Sequence, residues 1–293
     1  MKLFSPSYFQ AFKCKLGNCT HSCCIGWEID IDFHTLNKYR NTDFAYGKEV
    51  LKSIDFTEVP HFKLCKNDRC PHLNKQGLCN IIINLGEEYL CEICREHPRF
   101  YSFTQAGCEV GLGMACEEAC RIILSTDFYG ELTEIGEIDG NVDIGGFNPL
   151  PLRQNIFNLL SRDIPYDECF KLLCDELGVN PSFLDLEEMA DVISSLEYLD
   201  PTHKELFLSR GSYDICDSQR LMRALSYFVY RHCATAECLS EFYQRLFFCL
   251  FCVALLRRVA ATLGDIEFAA RIISEELEYS ESNTEMIKQL LEF

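Results

Sequence analysis

Residues 12 to 27 read FKCKLGNCTHSCCIGW, with Cys14, Cys19, Cys23 and Cys24 inside eleven positions. Further cysteines follow in KLCKNDRCPHLNKQGLCNI (Cys65, Cys70, Cys79) and in YLCEICREHPRF (Cys91, Cys94), and Cys108, Cys116 and Cys120 close the run. Thiolates arranged this densely suit a metal centre, because zinc and iron–sulfur clusters are each held by about four such ligands. Short spacings favour convergence, since little loop entropy is lost in closing them. Zinc sites usually pair two C-x2-C units, and in this region only Cys91 and Cys94 have that spacing. The adjacent Cys23 and Cys24 point their side chains apart, which is awkward around one tetrahedral ion. The spacing therefore favours an iron–sulfur centre, with zinc as the alternative.

Other side chains near these thiols are candidates by type. His21, His72 and His97 lie beside cysteines and could ligate a metal; His34, His61, His203 and His232 read as ordinary histidines. Arg95 and Arg99 flank Glu96-His97-Pro98 and could neutralise thiolates or an anionic cofactor, or pair with Glu87, Glu88 and Glu92. Trp27, the sole tryptophan, either shields a cluster from water or packs in a core. The seven later cysteines (Cys169, Cys174, Cys216, Cys233, Cys238, Cys249 and Cys252) read as small buried hydrophobes. No residue stands out as a catalytic acid, base or nucleophile. Phosphate-binding, hydrolase-elbow, zinc-protease and dinucleotide motifs are absent, and the radical-type C-x3-C-x2-C spacing is not formed.

Composition sets the frame for these groups. The chain has 293 residues, 48% hydrophobic and 25% charged, which is the balance of a soluble protein with a core. MKLFSPSYFQ lacks a signal-peptide pattern, and LFFCLFCVALL (246–256) is too short to cross a bilayer, so a cytoplasmic location is expected. Nineteen cysteines in a reducing compartment point to metal or redox chemistry rather than a disulfide framework. The net charge of −18 is uneven: 14 Lys and Arg against 15 Asp and Glu through residue 125, then 13 against 30. That acidity disfavours nucleic acid and anionic membrane surfaces and suits a lysine-bearing protein partner, or simply solubility.

The elements that must position the thiols are of two kinds. TEIGEIDGNVDIGGFNPLP (133–151) reads as a linker between a cysteine-rich metal-binding region, 1–132, and an α-helical domain, 152–293. Beyond the linker, apolar residues recur at helical intervals in LRQNIFNLLSR, YDECFKLLCDELG (ending on Gly178), PSFLDLEEMADVISSLEYL, DSQRLMRALSYFVYRH, the long segment ending at Gly264, DIEFAARIISEELEY and NTEMIKQLLEF. Before it, EIDID suggests a strand, a helix starts near His34 or Thr35, and GEEYLCEICREH and CEEACRIILS suggest short helices among loops. The expected class is mainly α, with an irregular cysteine-rich region packed on a helical domain. A metal centre would supply folding free energy to a region with few apolar residues.

In this order, the segments FKCKLGNCTHSCCIGW, RCPHLNKQGLCNI, CREHPRF and ACEEACRIIL resemble the flagellin lysine N-methylase family. They are also similar to small zinc- or iron-chelating proteins with a CC box. The likeness covers residues 8 to about 125, and SYFVYRH is its best match in the helical half. It implies methylation of lysine amines on flagellin, using S-adenosylmethionine and a [4Fe–4S] cluster. It also implies that the family's recurrent cysteines fall at Cys14, Cys19, Cys23, Cys24, Cys70, Cys79, Cys94 and Cys116, with Cys19, Cys23 and Cys24 candidates for a three-cysteine site. Cys65, Cys91, Cys108 and Cys120 are extras of this chain. His97 replaces an aromatic before Pro-Arg, and Glu117 replaces a proline after the last cysteine. A non-catalytic zinc- or iron-binding module is the alternative function.

Overall fold

The computed structural model describes residues 1–140, 145–210 and 217–290, except for the side chains of residues 182 and 183. Cys216, read above as a buried hydrophobe, lies outside the described residues, as do part of the expected linker and the last three residues of the final helical segment. The chain divides into two compact units: Met1–Phe12 with Pro98–Phe293, and Lys13–His97. The boundaries fall at 12/13 and 97/98, not at the 133–151 segment. The reason is β-pairing, which draws the N-terminal strand to residues more than a hundred positions away.

In the larger unit a four-stranded sheet runs in the order Arg99–Thr104, Gly107–Leu112, Lys2–Pro6, Leu132–Glu137. Lys2–Pro6 lies parallel to Gly107–Leu112, with Leu3 opposite Cys108, and antiparallel to Leu132–Glu137. The expected linker therefore begins as an edge strand, and Leu150–Leu160 at its other end is helical. Every residue of Gly107–Leu112 is buried, as a central strand covered on both faces requires. Gly111 belongs there because a Cβ would come within 2.3 Å of the Phe100 ring. On the same strand Glu109 takes both arms of Arg153, at 2.7 and 2.8 Å, and joins sheet to helix in a buried pair.

The helices read from periodicity mostly form. Glu117–Ser125, Leu150–Leu160, Tyr166–Leu177, Ser218–His232 and Leu239–Leu263 are continuous, and Gly178 and Gly264 close theirs in the left-handed conformation. The 181–199 segment is not one helix. It splits into a 3-10 turn, Pro181–Leu184, and Ala190–Ser195, because the Asp185 carboxylate accepts the Glu187 N–H at 2.8 Å and starts a new turn. Pro201–Phe207 was not expected, although Asp200-Pro201-Thr202 carries an N-cap and a first-turn proline. Leu239–Leu263 is long and apolar enough to cross a membrane, with mean hydropathy 2.0, but 72% of its apolar window is buried within the fold. That is the placement of a core helix.

SYFVYRH acquires a structural meaning here. Ile266–Ile273 runs into a π-turn, Ser274–Glu278, that buries the Glu278 side chain. The Glu278 carboxylate accepts from the Tyr227 hydroxyl at 2.9 Å and lies 2.7 Å from His232 Nε2 and 3.3 Å from Arg231 Nε. Burial alone would raise this carboxyl, but the Arg231 charge and the His232 and Ser274 hydrogen bonds outweigh it and hold it below the usual range. Arg231 in turn lies between the Phe100 and Tyr279 rings, 4.9 Å from each.

The Lys13–His97 unit has its own core of Ile29, Ile31, Leu36, Tyr39, Val50, Ile54, Phe62, Leu73, Ile81 and Leu85, joined by Cys70 and Cys91. Its helices are Phe33–Asn41, Ala45–Lys52, Asn80–Leu85 and Glu92–Glu96, beside a ribbon of Ile54–Asp55 with His61–Phe62. EIDID does not form a strand. Ile29 and Ile31 alternate into the core as expected, but only Asp30 bridges, to His61.

Removing the Glu278 carboxylate leaves Arg231 buried without its counter-charge. Glu278→Ala should cost about 3–5 kcal/mol in urea unfolding at pH 7. A carboxyl held below its unfolded value stabilises above about pH 4.3 and loses that contribution as pH falls through the lower folded value. The gap between wild type and variant should therefore narrow on acidification below that point.

Candidate metal centre

Backbone crossings in the Lys13–His97 unit bring its thiols together. Ile25 pairs with Arg69 in an isolated antiparallel bridge, and on either side the Cys70 N–H donates to the Cys24 carbonyl at 2.9 Å and the Gly26 N–H to Asp68 at 3.0 Å. Cys24 and Cys70 are thus directly opposed, a placement that puts Cβ atoms about 5 Å apart. A second bridge, Leu73 with Cys79, folds the next cysteine back onto the same loop. Cys91 caps the Glu92–Glu96 helix, and its sulfur lies 3.7 Å from that of Cys94.

Electrostatics record the same convergence. The Cys24 thiol is lowered to about 7, chiefly by the Cys23 hydrogen bond, which outweighs burial, with help from Ser22 and the Arg69 charge. Cys70 is raised to about 12 by burial and then by the charges of Cys24, Cys79 and Cys91. Cys79 is raised by burial, with Cys24 and Cys91 adding to it. Cys91 is lowered and Cys94 strongly raised by the hydrogen bond they share. Five thiols therefore feel one another: Cys24, Cys70, Cys79, Cys91 and Cys94. Four of these are among the eight that the resemblance implied, and Cys91 is one of the extras.

The other expected residues stand differently. Cys14 is exposed and accepts the Leu16 N–H at 3.4 Å; Cys23 is exposed, and Cys19 half-buried. Cys116 belongs to the larger unit, where it caps Glu117–Ser125. Trp27 is half-buried, its indole N–H donating to the Cys23 carbonyl at 2.9 Å, so it braces the CC turn. Arg95 reaches Glu96 at 3.3 Å. Arg99 lies in the larger unit, 5.9 Å from the Phe9 and Phe12 rings. His72 is buried with both ring nitrogens engaged, by Tyr46 at 3.0 Å and Ser53 at 2.8 Å, and burial lowers it to about 4. It is a core histidine.

Three residues around the thiols escaped the sequence. Arg69, whose charge reaches Cys24, is held by the carbonyls of Leu73 and Asn74. Tyr39 is buried, and its hydroxyl is raised by burial and then by Cys91, Cys94 and Cys79. Asp32 joins two helix starts, its carboxylate accepting from Thr35 N at 2.8 Å and Glu92 N at 2.9 Å. Only Asp32 had a readable signal, as an N-cap before the FHTLNKYRN helix.

The donor set suits a thiolate-bound metal: five sulfurs, two of them within 4 Å, and one nearby guanidinium against the accumulated negative charge. Among the described residues, no three His, Cys, Asp or Glu side chains are drawn up around one point as a finished cage. The thiol chemistry fits, and the sulfurs would have to close around the ion. Exposure orders their reactivity. Brief alkylation of metal-free protein should label Cys14, Cys23 and Cys65, and Cys238 of the larger unit, first, whereas Cys70 and Cys91 should label only when the Lys13–His97 unit opens. Peptide mass spectrometry reads that order directly.

Comparison with known proteins gives the chain its relatives. A lysine-N-methylase of Salmonella typhimurium is 27% identical over 164 residues, 53% of this chain and 40% of the relative. A lysine-N-methylase of Salmonella choleraesuis matches with the same figures. The flagellar biosynthetic protein FliU of Salmonella muenchen is 27% identical over 127 residues, 41% of this chain and 75% of the relative. The match thus covers less than half the length of these lysine-N-methylases. No family model and no solved structure matches it, and the likeness to small CC-box chelators stays one of motifs. By sequence, the chain is a distant relative of the Salmonella lysine-N-methylases and FliU, in keeping with the flagellin lysine N-methylase family.

Proposed function

We propose that this chain is a protein-lysine N-methyltransferase of the flagellin-modifying kind, using S-adenosylmethionine and a [4Fe–4S] cluster on the thiols of the Lys13–His97 unit. The observation that carries the methylase reading is the match to two lysine-N-methylases. The thiol group supports the cofactor reading, since Cys24, Cys70, Cys79, Cys91 and Cys94 share one small core. A cluster with one iron not bound by cysteine would supply a site for the amino and carboxylate groups of S-adenosylmethionine.

Methyl transfer forms an N–C bond on lysine as the S–C bond of the sulfonium breaks, and the amine must be neutral to attack. The protein therefore has to remove a proton from a group of ordinary pKa about 10.4. The acidic excess beyond residue 125 supports attraction of lysine-rich substrate surfaces. A reducing cytoplasm is the compartment that would keep so many thiols reduced.

The test is transfer of isotope-labelled methyl groups from S-adenosylmethionine to purified flagellin by anaerobically reconstituted protein. We expect label on lysine, lost in Cys24→Ser and Cys70→Ser and kept in Cys238→Ser, which alters an exposed thiol of the larger unit. Intact reconstituted protein that transfers no methyl group to flagellin or to any lysine peptide would replace this reading with the metal-binding module.

A further inference from the structure

One face of the Phe33–Asn41 helix is committed to the residues just before Cys91. The carbonyls of Glu88, Tyr89 and Leu90 accept, in turn, from Lys38 Nζ at 2.8 Å, the Tyr39 hydroxyl at 2.6 Å and the Thr35 hydroxyl at 3.5 Å. Positions 35, 38 and 39 are helical neighbours, so they present their donors to one strip. Asp32, at the start of the same helix, completes the row: one carboxylate oxygen caps Thr35 and the other takes the Glu92 N–H at 2.9 Å. Four consecutive anchors thus grip residues 88, 89, 90 and 92, with Cys91 between the last two.

The gripped segment has little structure of its own. Glu87–Tyr89 is a single 3-10 turn, and Glu92–Glu96 is a five-residue helix. Elements this short do not hold themselves, since the nucleus of a helix is unfavourable. Thr35 and Tyr39 are buried at 1% exposure, where a hydrogen bond left unmade costs more than one exposed to water. The anchors end at the pair whose sulfurs lie 3.7 Å apart.

We propose that Asp32, Thr35, Lys38 and Tyr39 are positioning residues that set the spacing of the Cys91 and Cys94 thiols for a shared ligand atom. The inference rests on the reading that these thiols serve a metal centre, and it assigns Cys91 to that centre although the resemblance leaves it out. Asp32 is the central member, because it alone bonds both the anchoring helix and the helix that Cys91 caps.

A trivalent arsenical tests the spacing without any metal, since it bridges two thiols only when they are close and releases one water in doing so. Metal-free full-length protein is titrated with phenylarsine oxide, and bridging across the 91–94 peptide is read by mass spectrometry. Asp32→Ser keeps a cap for Thr35 but removes the arm to Glu92, and Tyr39→Phe keeps the ring but removes the donor. Each should weaken bridging of Cys91 with Cys94 about tenfold while helical circular dichroism stays at the wild-type level. If either variant loses helicity, Lys38→Met, altered at the helix surface, gives the same reading. Wild-type bridging in folded variants would overturn the proposal. Weakened bridging with full iron uptake would uphold the positioning and remove Cys91 and Cys94 from the metal reading.

Discussion

Five thiols in one small core cannot all carry charge without something to oppose it. That constraint governs the Lys13–His97 unit. Cys70, Cys79 and Cys94 are pushed up, the first two by burial and their neighbours' charges and Cys94 by its hydrogen bond with Cys91, whereas Cys91 is lowered and Cys24 comes down to about 7. Arg69 is the cation whose charge reaches Cys24. A cationic metal would relieve the repulsion at its source, which is why thiol clusters of this kind couple metal binding to folding. The rest of the unit can be understood as what keeps the thiols close despite that repulsion.

Backbone hydrogen bonding does most of this, and it does so with little regular structure. Two isolated bridges set Cys24 against Cys70 and fold Cys79 back, while His72 bonds to Tyr46 and Ser53. The Phe33–Asn41 helix grips the other thiol pair from outside. The larger unit is built on different terms, with a buried central strand, the Glu109–Arg153 pair and the Glu278 group fixing helices to sheet. Each of these buried charges is opposed by a partner, as a low-dielectric interior demands.

How much of this could be read from residue order depends on the range of the interaction involved. Helices with local periodicity and a closing glycine, such as Tyr166–Leu177 with Gly178, are legible because the deciding contacts are three and four residues apart. The strand Lys2–Pro6 is not, because its partners lie beyond residue 106 and no local pattern names them. FYSFTQAGCEVGL does contain a hairpin, but its cysteine drew it into the metal region. The thiol group was half legible. Density identified the region, whereas membership turned on crossings that bring residue 24 to 70 and residue 73 to 79. Arg95 and Arg99 stand near Cys94 in sequence, whereas the charge that helps lower Cys24 belongs to Arg69, which no spacing rule would select.

The relationship to lysine-N-methylases covers about half of the chain. Protein purified without oxygen should be analysed for iron, acid-labile sulfide and zinc per chain. About four iron and four sulfide, falling sharply when Cys24 and Cys91 are both replaced by serine, is the predicted result. Stoichiometric zinc without iron, or iron unchanged by that double replacement, would contradict it.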